Sequence, residues 1–237
     1  MKFFCGFKVK NYQQNCGEVP SMRTCFFLIL FVGSLFVGCT KWNAYYKNKI
    51  YKPPVDIVQI ASMRFTTPGT AIDLGCGVGN EAVFMLHHGW SVWAIDAEHQ
   101  ALNMLQKRND ITALDRLHVV CMNFEDVPTW KKLPCVDLLY ASYSLPFCGP
   151  EHFYVIWSCV QEHIKSGGRF AGHFFGRGYK GFGVQEMKTM TFLDREQVLA
   201  LFQDFDIEYF NEIDEDGISG TQRAVHAHIF EVIALKR

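Results

Sequence analysis

Net charge of either sign is almost absent from this sequence. Over 237 residues, 23 Lys and Arg face 24 Asp and Glu, which leaves −1 at pH 7, and the basic residues are scattered instead of forming a stripe. That argues against a dedicated nucleic-acid binder, and no nucleic-acid partner is expected, although RNA as a substrate stays open. A disulfide framework is also lacking: the nine cysteines are an odd number, and none stands in a C-x-x-C pair of the kind that zinc and redox sites use. No metal is expected. Cys76, Cys121 and Cys159 lie in apolar runs, where the thiol serves as a small core residue. Internal repeats and low-complexity segments are missing too, which sets solenoids and disordered linkers aside. What the chain does have is 49% hydrophobic against 20% charged residues, enough for a packed core.

The longest apolar run, CFFLILFVGSLFVG at residues 25–38, falls short of the roughly 20 residues a spanning helix needs. Lys2, Lys8, Lys10 and Arg23 precede it, so it matches the h-region of a secretory signal, particularly for synthesis starting at Met22. It ends in Phe36-Val37-Gly38-Cys39, which resembles a bacterial lipoprotein box with Phe36 in place of the usual Leu. A short membrane-associating leader and an upstream extension that is not normally translated are the other readings. Lys41, Lys47, Lys49 and Lys52 follow the run, so charge asymmetry does not decide orientation. Residues 1–40 are therefore set apart as an N-terminal extension, and residues 41–237 are expected to form one catalytic domain.

Within that domain, Ile57, Ile60, Ala61 and Phe65 recur at helical spacing over about 55–65, ahead of Pro68-Gly69. Strands are expected at 70–74, 91–96, 117–121, 136–141 and 169–175, with helices at 80–88, 97–108 and 151–164 between them. One more helix is expected at 194–202. The segments 207–213 and 225–235 have no helix between them and can pair antiparallel at a sheet edge. Such alternation predicts an α/β, Rossmann-like fold: a seven-stranded, mostly parallel sheet with helices on both faces and an antiparallel edge hairpin.

The strongest local signal is Asp73-Leu74-Gly75-Cys76-Gly77-Val78-Gly79-Asn80, set between a predicted strand and a predicted helix. A chain that turns sharply there and leaves room for a ligand against its backbone needs residues without Cβ. The dinucleotide fingerprint is G-x-G-x-x-G, whereas here it is G-x-G-x-G with Asp73 two positions ahead. A pyrophosphate would be repelled by that carboxylate, while S-adenosylmethionine, with its sulfonium and ammonium, suits it. Asp96 closes the second predicted strand, where its carboxylate can accept hydrogen bonds from both ribose hydroxyls; it can equally cap the helix that follows.

These residues resemble the class I S-adenosylmethionine-dependent methyltransferases, whose first motif reads E/D-x-G-x-G-x-G and whose second ends in an acidic residue. The resemblance implies a cofactor site of Asp73, Gly75, Gly77, Gly79, Asn80, Asp96, Asn123, Phe124 and Ser142. Asn123 and Phe124, just after the third strand, are the adenine contacts it implies, with Glu125 or Asp126 as alternatives to Asn123. In size and general pattern the domain is similar to the small tellurite-resistance-like and thiopurine-like bacterial branch. A cytosolic donor argues for a cytoplasmic catalytic domain, with membrane association through the leader left open.

The loop Ser142-Tyr143-Ser144-Leu145-Pro146-Phe147 replaces the N/D-P-P-Y segment of methyltransferases that grip planar nitrogens. An apolar, aromatic loop suits a small or soft acceptor. Tyr143 and His173 are the catalytic candidates, and Arg177 and His226 are further positioning candidates. Tyr143 and Phe147 can equally pack the pocket wall, and His226 with His228 on one strand face reads better as hydrogen-bonded histidines than as a metal pair. Glu212 to Asp216 reads as a solvated acidic turn, and Gly176 to Gly183 as a lid or an ordinary loop. Two other functions stay open: an NAD-dependent oxidoreductase, and a non-catalytic, membrane-attached binding protein with the same fold. The oligomeric state is not legible.

Overall fold

Residues 45–218 and 224–237 are described in a computed structural model of the chain. The leader and lipoprotein-box readings of residues 25–39 lie outside them. Among the described residues, no helix is long and apolar enough to cross a membrane.

The domain alternates strand and helix from the start. α1 (Asp56–Ser62) precedes β1 (Thr70–Leu74), α2 (Asn80–His87), β2 (Ser91–Asp96), α3 (His99–Gln106) and β3 (Leu117–Cys121). Then come α4 (Val127–Trp130), β4 (Val136–Ala141), α5 (Phe153–His163) and β5 (Ile164–Gly176). The last part holds α6 (Val184–Met187), β6 (Phe192–Leu193), α7 (Arg195–Leu201), β7 (Phe205–Ile218) and β8 (Ala224–Lys236). The sheet runs β3-β2-β1-β4-β5-β8-β7, with β6 added beside β5. Pairings from β3 to β5 and onto β6 are parallel, and β8 is antiparallel to both β5 and β7. The sheet thus has the expected layout with one strand more, the two-residue β6.

Period-two alternation divides the apolar side chains between the two faces. Ala71, Leu138, Tyr140, Ala171 and Ile233 point toward α1, α2 and α3, packing on Ile57, Ala61, Val83, Leu86 and Leu105. Ile72, Leu139, Phe170, Phe174 and Val232 point the other way, onto Trp157 and Val160 of α5 and Val198 and Leu201 of α7. Helix α7 starts on a capping box: the Gln197 N–H donates to Asp194 Oδ1 at 2.8 Å and the Asp194 N–H donates to Gln197 Oε1 at 3.0 Å.

Three expectations need correction. β5 begins at Ile164, not 169: Ile164 pairs with Val136, the chain makes an excursion through Gly167 at φ 77°, and pairing resumes at Arg169 opposite Leu138. The Gly167-Gly168 break is therefore a bulge inside a strand. The acidic run Glu212 to Asp216 is not a turn but part of β7, which pairs with β8 out to Ile218 opposite Ala224. Its carboxylates meet imidazoles across the ladder, Glu212 with His228 at 3.1 Å and Asp214 with His226 at 2.8 Å. The first helix stops at Ser62, short of the expected 65.

Candidate active site

The carboxyl ends of β1, β2, β4 and β5 meet around the Gly-rich turn, the place where open parallel sheets bind ligands. The turn is pinned to β2 by its own backbone: the N–H groups of Gly75 and Cys76 both donate to the Ile95 carbonyl, at 2.8 and 2.9 Å. Gly75 sits at φ 80°, and a Cβ there would fall 2.3 Å from Ser144 Cβ, so the β4 loop closes directly onto the turn. Ser144 seals the contact by donating its hydroxyl to the Leu74 carbonyl at 2.5 Å. Gly77, at φ 52°, meets the Tyr46 ring only at 3.5 Å, which leaves its outer face open apart from that ring. Gly79 turns the other way: a Cβ there would lie 2.3 Å from Leu105 Cδ1, so its contribution is close packing of α3.

Asp96 is held by two backbone donors, the Gly77 N–H on Oδ2 at 2.8 Å and the Glu98 N–H on Oδ1 at 2.9 Å. Each oxygen keeps a free lone pair in a fixed direction. Burial pushes its carboxyl above the ordinary value, against the pull of those donors. Asn80 is committed within the protein: its Nδ2 donates to the Lys49 carbonyl at 2.7 Å, and its Oδ1 accepts from Arg108 Nη1 at 2.7 Å. It ties the segment carrying Tyr46 to the turn.

Among the described residues, four buried side-chain polar atoms have no hydrogen-bond partner: Asp73 Oδ2, the Tyr140 hydroxyl, Ser142 Oγ and His173 Nδ1. Three belong to neighbouring strands and Ser142 directly follows β4, for Asp73 pairs with Tyr140 and Tyr140 pairs with Ala171, two residues before His173. By strand alternation Asp73, Tyr140 and His173 share one face, the face that carries Ala71, Leu138 and Ala171. Orphaned polar atoms are costly, about 1–3 kcal/mol each, so a row of them marks a place built for a missing partner. Asp73 is the extreme case. Burial, with Glu81 second, pushes its carboxyl well above the ordinary range, while Tyr140 beside it pulls weakly downward.

On the far side of the turn, Asn123 is exposed, and Phe124 reaches within 3.4 Å of where a Gly75 Cβ would be. The Phe124 carbonyl is anchored by the indole N–H of Trp130 at 2.8 Å. Tyr143 and His173 are brought together: their rings stack at 3.9 Å and 11°. Tyr143 has φ 55°, a strained setting for a non-glycine residue that costs about 1–3 kcal/mol. Its hydroxyl pKa is raised to about 12, first by burial and then by Glu231. Phe175, Tyr179, Phe182, Phe192 and Phe147 continue the aromatic wall, with Phe175 on Tyr179 at 4.1 Å.

Arg177 and His226 are not brought to this centre. Arg177 bonds Gln197 at 2.9 Å, and His226 is clasped by Asp214 and Asp216 on the edge hairpin. The segment Gly176 to Gly183 is docked by Tyr179 and by the Lys180–His226 backbone bridge. Sequence reasoning missed Ser144, Tyr46 and Glu231. Glu231 is the direct cross-strand partner of His173, a fact that only the register reveals. A separate groove of about 290 Å³ lies beside Pro68 and Trp90, at the opposite ends of β1 and β2, and gathers none of these groups.

A family model described as tellurite resistance protein TehB matches residues 38–172, more than half of the chain. Among solved structures, TehB from Haemophilus influenzae is similar at TM-score 0.63 and 15% identity, covering 81% of this chain and 66% of that one. The chain thus spans just under two thirds of that relative. The 1,6-didemethyltoxoflavin-N1-methyltransferase of Burkholderia thailandensis, with 1,6-didemethyltoxoflavin and S-adenosylhomocysteine bound, is similar at TM-score 0.58 and 14% identity, covering 94% and 93%. Magnesium protoporphyrin IX methyltransferase from Synechocystis, with bound S-adenosylhomocysteine, is similar at TM-score 0.61 and 12% identity, covering 85% and 95%. At these identities the likeness is one of fold. No curated protein matches the sequence.

Proposed function

The chain belongs to the TehB tellurite-resistance protein family, and from that premise we propose that it is an S-adenosylmethionine-dependent methyltransferase with a small-molecule acceptor. The observation that carries the reading is the buried Asp73 carboxyl under a glycine turn, whose Oδ2 has no hydrogen-bond partner. A cation satisfies such a carboxyl; a diphosphate does not. Asp96 suits a ribose diol, since its two oxygens are already oriented by backbone donors. The open outer face of Gly77 admits a ligand close to the backbone, and the loop at Asn123 and Phe124 borders the same space as the adenine side. Ser142, with its unpartnered hydroxyl, completes the cofactor set.

The bound donor supplies an electrophilic methyl group on a positively charged sulfur. The chain's own work is placement and exclusion of water. Near-attack alignment is the main source of rate in such a displacement. Tyr143 and His173 face the acceptor side, Tyr143 as a wall and His173 as the group that handles a proton. The catalytic domain is residues 41–237; residues 1–40 are an extension through which the protein associates with membranes, and fractionation of a tagged full-length chain tests that.

Calorimetric titration with S-adenosylhomocysteine and with NADH decides the cofactor. Binding of the first and none of the second is expected, and tight NADH binding alone would overturn the reading. Asp96→Ala should weaken S-adenosylhomocysteine by about ten- to a hundredfold, the worth of a hydrogen bond to a charged group. Gly77→Val should abolish it. Supplying labelled donor with thiols, tellurite, selenite and amines identifies the acceptor class.

A further inference from the structure

His173 is 1% exposed, and its surroundings are chemically lopsided. On one side its Nε2 lies 3.3 Å from Glu231 Oε1, its partner across the β5–β8 ladder. Asn211 stands opposite Glu231 on β7, so His173, Glu231 and Asn211 form one straight row over three strands. The other Glu231 oxygen, Oε2, accepts from Asn211 Nδ2 and from the Tyr209 hydroxyl, each at 3.1 Å. On the opposite side of the imidazole, Nδ1 is buried with no partner at all. The Tyr143 ring stacks on the imidazole face, and Tyr143 is 37% exposed.

We infer that Glu231 is a positioning residue that holds the His173 imidazole with its proton on Nε2, leaving Nδ1 as a bare proton acceptor for the methyl acceptor. A carboxylate only accepts hydrogen bonds, so the ring nitrogen facing it must carry the hydrogen, and the other nitrogen of a neutral imidazole then cannot. Glu231 is firmly ionised: His173 first, then Asn211 and Tyr209, hold its carboxyl down to about 2.

The inference rests on the methyltransferase reading and narrows its acceptor to molecules carrying a dissociable N–H, O–H or S–H. In the step assigned to His173, the proton passes from the acceptor atom to Nδ1. The bonding pair stays behind as the attacking lone pair. The resulting imidazolium is stabilised by Glu231, and its proton goes to water after the product departs.

Nitrogen-15 NMR of the full-length protein without ligand reads the tautomer directly. His173 is expected with Nε2 protonated and Nδ1 bare; a proton on Nδ1 would overturn the proposal. Glu231→Gln is expected to mix the tautomers and to lower kcat by about ten- to a hundredfold with KM little changed, and Glu231→Asp to recover part of the loss. Unchanged kcat and tautomer in Glu231→Gln would equally sink it. If Glu231→Gln does not fold, Asn211→Ala removes one donor to Glu231 without touching His173, and a smaller shift in the same two readouts is expected; no shift counts against the proposal. Titration of the wild-type protein with S-adenosylhomocysteine keeps the underlying reading separate, because failure to bind refutes the methyltransferase assignment whatever the tautomer.

Discussion

Single residues reveal how the site trades stability for binding. With its folded-state pKa raised above the ordinary 3.8, Asp73 favours the folded protein when protonated, and the advantage is lost as pH rises through the folded-state value. Near neutral pH the ligand-free protein therefore holds a group that burial penalises. Asp73→Asn should raise the melting temperature of the ligand-free protein by about 2–4 °C per kcal/mol relieved, and should weaken S-adenosylhomocysteine at least about tenfold. Scanning calorimetry and titration on the same sample check both; a variant that is less stable and binds normally would show that Asp73 is structural. Asp73, Gly75 and Asp96 were legible because their chemistry is local: a carboxylate and glycines at short spacing on a strand end. Glu231 was not, since nothing in the string HAHIFEV distinguishes it until β8 is laid against β5.

At the level of elements, the central strands were readable almost to the residue, because β1 and β4 are largely buried and mostly apolar, broken only by Thr70 and Asp73 in β1 and Asp137 in β4. The edge was harder. β7 carries Glu212, Asp214 and Asp216, which as a sequence look like a turn, and only the histidines of the partner strand make them a strand. Short pieces such as β6 have too few residues to leave a periodic trace. The charged ladder has its own pH signature. His226 has its pKa raised above 6.5 by hydrogen bonds to Asp216 and Asp214. Its contribution is thus complete below the unfolded-state value and lost as pH rises through the folded-state one. Amide protection at residues 225–228, corrected for intrinsic exchange rates, should fall as pH rises past 6.5, while protection at residues 170–174 in β5 holds. Equal behaviour of the two segments would discount the ladder.

Across the whole molecule, a sheet order of β3-β2-β1-β4-β5-β8-β7 separates two groups of residues: β1 and β2 carry Asp73 and Asp96, and β5, β8 and β7 carry His173, Glu231 and Asn211. Fold class was readable because strand–helix alternation decides it, whereas the pairing of the two halves through Tyr143 and His173 depends on packing that no local pattern encodes. A ligand bound only by the folded state stabilises it by mass action, by about 2.7 kcal/mol at a hundred times Kd. S-adenosylhomocysteine at that excess should accordingly raise the melting temperature by about 5–10 °C, and NADH should leave it unmoved. A rise with NADH instead would point back to a dinucleotide. The row from His173 through Glu231 to Asn211 also has a consequence for the order in which the protein is made. β8 follows every other strand in the sequence, so a ribosome delivers the stretch from Asp73 to Asp96 well over a hundred residues before Glu231 emerges. During translation, then, the glycine turn is made long before the carboxylate that faces His173 exists.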